Sequence, residues 1–294
     1  MVADSPLVFD LQCYRQNVVK DASFQIKLNL VQEPETAQHD TGFVMWPASV
    51  VLARWMALNP SILHECAAQG ADVLEIGAGC GLVGLTAATL LQQQQPPTTM
   101  KQGNLIFSDY NPTVLENLQQ NIRLNDHLDA STIRVVGLDF FDQDDPTLVN
   151  EWVDMQGIRQ PQVQLVLGAD VLAYTNDAVN VARTLWKTLA QGGQALVVTP
   201  DEGLRFGVQE FPTACRNLGL HVTVVENLLH VVASQSNQGN AEADDDASSS
   251  SSASATMTTT MTQDLGKTIG YNNQAGYAYC NILLFMIQKP FAYS

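Results

Sequence analysis

Four glycines stand at positions 77, 79, 81 and 84 of this chain, within Asp72-Val73-Leu74-Glu75-Ile76-Gly77-Ala78-Gly79-Cys80-Gly81-Leu82-Val83-Gly84. They follow a short apolar run and open a second one. Glycines so spaced let bare backbone N–H groups and a helix N-terminus come close to a ligand, which suits a nucleotide-like cofactor. The next apolar run, Leu105-Ile106-Phe107-Ser108, ends on Asp109, whose carboxylate is suited to accept hydrogen bonds from ribose hydroxyls.

Gly79-Cys80-Gly81-Leu82-Val83-Gly84 satisfies the GxGxxG pattern of nicotinamide dehydrogenases. Other residues point away from that chemistry. Gly77 extends the turn to Gly-x-Gly-x-Gly, and Glu75 precedes it at the end of the strand. A carboxylate there suits a cationic cofactor better than a pyrophosphate, and S-adenosylmethionine carries an ammonium, a sulfonium and no phosphate. The other reading of Glu75 is a carboxylate that caps the amides of the turn. No Tyr-x-x-x-Lys pair serves hydride transfer. Asp139-Phe140 follows the third strand candidate, where an adenine would lie. Asp139 either accepts from the adenine amino group, with Phe140 as an apolar wall, or is an ordinary loop acid.

These residues need a scaffold that brings strand ends together. From residue 71 on, strand-like and helix-like segments alternate, which predicts an α/β fold with a doubly wound parallel sheet. The strand candidates are 72–76, 104–108, 132–137, 163–169, 194–199, 221–226 and 277–288. The helix candidates are 81–93, 112–124, 146–155 and 177–190. Before them, Phe24, Ile26, Leu28 and Leu30 alternate with polar residues as in a half-buried strand, within an N-terminal extension over 1–40. Trp46-Pro47 leads into an apolar helix through Val50, Trp55 and Leu58. One domain is expected over 41–233 and 271–294. The acidic, Ser/Thr-rich stretch 234–270 has almost no large apolar side chains and is expected to be a disordered insertion.

Fourteen Lys and Arg stand against thirty Asp and Glu, a formal charge of −16. That balance disfavours nucleic acid and anionic membrane as partners and permits a basic one. The five cysteines are scattered and odd in number, with no CxxC or Cys/His ligand spacing, so neither disulfides nor a metal site is expected. Cys80 in the glycine turn reads as a small residue tolerated there. No run resembles a signal peptide or a membrane span, and an intracellular, cytoplasmic or nuclear protein is expected.

Four blocks together resemble the seven-β-strand methyltransferases that use S-adenosylmethionine, and within them the protein-lysine methyltransferase branch. They are Gly42-Phe43-Val44-Met45-Trp46-Pro47-Ala48-Ser49, Val73 to Gly84, Asp109 to Asn125, and Leu167-Gly168-Ala169-Asp170-Val171-Leu172-Ala173-Tyr174. The resemblance implies a Rossmann-like, mostly parallel seven-stranded sheet with an antiparallel last strand. It further implies that Trp46 packs beside the cofactor, although Trp46 also reads as a core aromatic. Gly77 and Gly79 would line the methionine end, with Ala169 beside them, and Asp109 would hold the ribose. Asp170 would flank the transferable methyl. The family pattern Asp-x-x-Tyr has alanine here at its aromatic position, Ala173, and Tyr174 one place later. Likewise Leu138-Asp139-Phe140 stands where relatives carry Leu-Asp-Trp. The expected activity is methyl transfer to a protein lysine, on a translation factor or chaperone by resemblance, by a monomer with Asp170 and Tyr174 at the acceptor. Transfer to another nucleophile, or a non-catalytic scaffold that binds the cofactor, are the alternatives.

Overall fold

The computed structural model describes residues 6–13, 22–29, 41–93, 103–142, 151–228 and 281–291. The chain opens with an antiparallel hairpin of β1 (Leu7–Cys13) and β2 (Ala22–Leu28), Phe9 opposite Ile26. Helix α1 (Pro47–Leu58) starts at a proline, whose fixed φ and missing N–H suit the first helical position. Helix α2 (Ser61–Gln69) leads to β3 (Val73–Ile76), then α3 (Leu82–Gln92), β4 (Leu105–Asp109) and α4 (Pro112–Leu124). The Asn111 side chain caps α4 by accepting from Thr113 N at 3.0 Å. Then come β5 (Ile133–Gly137), the short β6 (Trp152–Val153) and β7 (Arg159–Gln160), β8 (Val163–Ala169) and α5 (Thr175–Thr188). Last are β9 (Leu189–Pro200), α6 (Phe211–Asn217), β10 (His221–Val225) and β11 (Ile282–Gln288).

Seven strands form one sheet in the order β10-β11-β9-β8-β3-β4-β5. Strands β9, β8, β3, β4 and β5 run parallel, and β11 lies antiparallel between β9 and β10. This is the doubly wound α/β sheet with an antiparallel last strand that the sequence predicts. Neighbouring residues of each strand feed opposite cores, as the pleat requires. Val73, Phe107, Leu167 and Val198 join α1, α3 and the hairpin on one face. Leu74, Ile106, Val166 and Val197 join α5 and α6 on the other. Winding reverses between β3 and β8, so the loops after their C-terminal ends diverge and open a crevice there.

The structure departs from expectation at several elements. Strand β1 and helices α2 and α6 are additional. The hairpin is also integral to the core, since Phe9, Leu11, Ile26 and Leu28 all belong to the main cluster. The expected helix over 146–155 is overturned at its end, where Trp152–Val153 pairs antiparallel with Arg159–Gln160. Asp154 drives the reversal by accepting from Gln156 N at 3.0 Å and Ile158 N at 2.9 Å, an Asx-type turn. The expected insertion 234–270 lies outside the described residues, as does 277–280 of the last strand candidate.

Candidate functional site

Beyond Ile76 the chain turns through Gly77 (φ +59°) and Gly79 (φ +52°), backbone states that side chains disfavour. A Cβ would sit 2.9 Å from Val171 at Gly77 and 3.2 Å from the Gly42 carbonyl at Gly79. Both positions therefore require glycine, because of the positive φ and because neighbouring chain packs against the bare Cα. Asp109 ends β4 and is tied into the turn: Gly79 N donates to one carboxylate oxygen at 3.1 Å and Asn111 N to the other at 3.1 Å. Its place beside the turn is thus fixed before any ligand arrives. Glu75, fully inside, accepts from Gly84 N in the first turns of α3 at 3.0 Å. Burial pushes its carboxyl well above the usual glutamate range, with the nearby Asp109 charge adding to the effect and the Gly84 bond opposing it.

These elements surround a cavity of about 460 Å³. Every residue singled out in the sequence borders it: Trp46, Glu75, Gly77, Gly79, Asp109, Asp139, Phe140, Ala169, Asp170 and Tyr174. Asp139 holds its own loop by accepting from Phe141 N at 2.8 Å. Cys80 is buried, its thiol donating to the Gly42 carbonyl at 3.4 Å, in keeping with a residue accommodated by the turn. Trp46 Nε1 donates to the Thr41 carbonyl at 3.0 Å, so the indole stands at the rim rather than deep in the core.

The segment from Asp170 to Tyr174 is an irregular loop rather than a helical turn. Tyr174 begins α5, its N–H donating to Asp177 at 2.7 Å, and its ring is 70% exposed at the mouth. Asp170 has φ +60°, uncommon for a residue with a side chain. Its carboxylate is held on both oxygens by Arg205, from Nε at 2.6 Å and a terminal nitrogen at 2.7 Å. The same guanidinium lies 5.3 Å from the centre of the Trp46 ring.

Sequence reasoning missed Arg205, and also Tyr110, Phe141 and Asp177, which line the same cavity. Tyr110 and Phe141 each directly follow a predicted strand or site residue, so position along the chain was a usable signal for them. Arg205 lies 35 residues from its partner and carries no motif. The usable signal was a rare cation just past a central strand's C-terminal end.

The model of the lysine methyltransferase family matches residues 25–202, from β2 to the end of β9 and just beyond. The chain belongs to that family. Among curated relatives, human protein-lysine N-methyltransferase EEF2KMT is 30% identical over 47% of this chain and 37% of its own length. Human putative protein N-methyltransferase FAM86B1 is 30% identical over 51% of this chain and 41% of its own. Calmodulin-lysine N-methyltransferase of Arabidopsis thaliana is 24% identical over 64% and 54%. The chain thus spans about half or less of the length of these relatives. A putative sarcosine dimethylglycine methyltransferase from Galdieria sulphuraria, a solved structure, aligns at TM-score 0.47 with 12% identity, over 81% of this chain and 85% of that one.

Membership in the lysine methyltransferase family makes S-adenosylmethionine the cofactor, and the cavity fits it. Five carboxyl side chains line it (Glu75, Asp109, Asp139, Asp170, Asp177), and among the described residues no lysine, arginine or histidine does. Of these, Asp170 is paired with Arg205 and burial favours the neutral form of Glu75, which leaves Asp109, Asp139 and Asp177 to face a cofactor with two cationic groups and no phosphate. Gly77 and Gly79 present backbone without a side chain along the same wall.

Proposed function

We propose that this chain transfers a methyl group from S-adenosylmethionine to the side-chain nitrogen of a lysine in a protein substrate. The observation that carries the reading is the cavity wall, carboxylate-lined and free of cations among the described residues, with exposed aromatic rings at its mouth. In support, the curated relatives bear names of protein-lysine N-methyltransferases.

When bound, S-adenosylmethionine supplies an electrophilic methyl on a sulfonium. The protein's part is alignment and exclusion of water. Asp109 accepts from the ribose hydroxyls with the lone pairs that its two backbone bonds leave over. Gly77 and Gly79 let the methionine end approach, and Trp46 and Ala169 wall it. Asp139 and Phe140 take the adenine side, Asp139 as acceptor and Phe140 as apolar face. A lysine ammonium, with a reference pKa of ~10.4, must lose its proton to attack. Tyr174 at the mouth and Asp170, nearly buried and held by Arg205, flank its path toward the methyl.

Labelled S-adenosylmethionine incubated with the protein and a cell extract, followed by mass spectrometry of the labelled residue, tests the reading. Label on a protein lysine is expected. Label on histidine or arginine, or none, overturns it. Asp109→Ala is expected to weaken S-adenosylhomocysteine binding by at least about tenfold by calorimetry, because two hydrogen bonds to a charged acceptor are lost. Unchanged affinity would remove Asp109 from the ribose role.

A further inference from the structure

One cation stands against the acidic cavity without lining it. Arg205 follows β9, on a loop whose Leu204 N and Arg205 N both donate to the Asp201 carbonyl, at 3.0 and 3.1 Å. Asp201 is in turn held by Asn281 N at 3.1 Å. The loop lies directly on the segment after β8: Phe206 N donates to the Ala173 carbonyl at 3.4 Å. A Cβ at Gly207 would meet the Tyr174 carbonyl at 2.4 Å, so the approach requires glycine. This packing delivers the guanidinium to Asp170, whose side chain is only 3% exposed while that of Arg205 is 15% exposed.

We propose that Arg205 is a positioning residue that cancels the charge of Asp170, so that a cation behind the cavity wall holds the methyl-transfer end near electrical neutrality. The inference rests on the methyltransferase reading above. A nearly buried carboxylate in contact with two guanidinium nitrogens projects little net field into the cavity, since the two charges sit within hydrogen-bond distance. Transfer spreads positive charge between sulfur and nitrogen. A bare carboxylate at that spot would stabilise the cationic ground states, the sulfonium and the protonated amine, more than the transition state. It would also hold the proton on the acceptor. Pairing Asp170 with Arg205 avoids both effects, while contact with Trp46 fixes the indole in the same arrangement.

Calorimetry on the full chain tests this with two probes that differ in charge at the reacting centre, S-adenosylmethionine (sulfonium) and S-adenosylhomocysteine (neutral thioether). Arg205→Gln exposes Asp170 and is expected to raise the affinity ratio of the first over the second about tenfold, a modest value for an unscreened nearby charge. Arg205→Lys keeps a cation and is expected to leave the ratio within about threefold of wild type. The double variant Arg205→Gln with Asp170→Asn removes both charges and is expected to return the ratio to within about threefold of wild type. A ratio in Arg205→Gln within threefold of wild type overturns the inference. So does a double variant that prefers S-adenosylmethionine more than threefold less than wild type, since Asp170 would then act as an anion despite Arg205. If Arg205→Gln does not fold, the double variant decides alone. Wild-type protein that binds neither probe would sink the cofactor reading itself, a distinct outcome.

Discussion

Glu75 has two duties that conflict electrically. The residue borders a cavity suited to cations, yet burial and the neighbouring Asp109 favour the neutral form of its carboxyl. A carboxyl raised in the folded state gives its full stability below the unfolded value near ~4.3, and the fold loses that stability as pH rises toward the folded value. Glu75→Gln keeps an acceptor for Gly84 N and removes this slope. Denaturant unfolding between about pH 5 and about pH 8 is expected to show a flatter stability curve for the variant, with stability at the alkaline end equal to or above wild type. A slope equal to that of the wild type would show that Glu75 is ionised in the fold. The site was largely legible at this scale because its residues sit at strand ends, where a glycine turn or a terminal aspartate marks the position. The Arg205–Asp170 pair was not, because loop packing between β8 and β9 creates it and no local pattern encodes loop packing.

Helix α4 binds the hairpin through three asparagines at successive turns. Asn125 accepts from Lys27 N at 2.9 Å and donates to its carbonyl at 2.9 Å. Asn121 accepts from Asn29 N at 2.7 Å and also donates to the Cys80 carbonyl at 2.9 Å, and Asn117 donates to the Asn29 carbonyl at 3.3 Å. The side chains occupy the backbone groups that the edge of β2 would otherwise present to another chain. Asn121→Ala is expected to cost about 1–3 kcal/mol in chemical denaturation, because buried polar partners lose their bonds. A loss below about 0.5 kcal/mol would mean that water replaces the amide. Asparagines four apart on a helix read as a solvated face, so the sequence did not disclose this docking. Strand β1 was hidden because Val8 faces outward and breaks the alternation. Over 146–155 the apolar spacing suggested a helix, and at its described end, 151–155, the hydrogen bonds of Asp154 prevailed over that periodicity.

The whole molecule carries a charge of −16, and a carboxylate-lined cavity opens on that surface. The protein substrate proposed above, if basic around its lysine, is drawn to such a field over roughly a Debye length, ~10 Å at 0.1 M salt. Raising salt from about 20 to about 200 mM is expected to lower kcat/KM for the protein substrate several-fold with kcat nearly constant. Salt-independent capture would mean that recognition rests on apolar contacts, for which the exposed rings of Tyr110, Phe141, Tyr174 and Phe206 are placed. The sheet was legible at this scale because the central strands are buried on both faces and read as mostly apolar runs, Val73–Ile76, Leu105–Phe107 and Leu165–Ala169 among them.

Asn121 joins the hairpin and the glycine turn through a single amide, which makes the two thermodynamically reciprocal. Whatever orders the turn raises the work of detaching the hairpin, and loosening the hairpin weakens what the turn holds by the same factor. Saturating S-adenosylhomocysteine is therefore expected to slow limited proteolysis within the first thirty residues, and in Asn121→Ala that protection is expected to shrink. Equal protection in both proteins would mean that the coupling runs by another route. On this view the N-terminal hairpin, remote from the reacting atoms, is a handle on cofactor affinity.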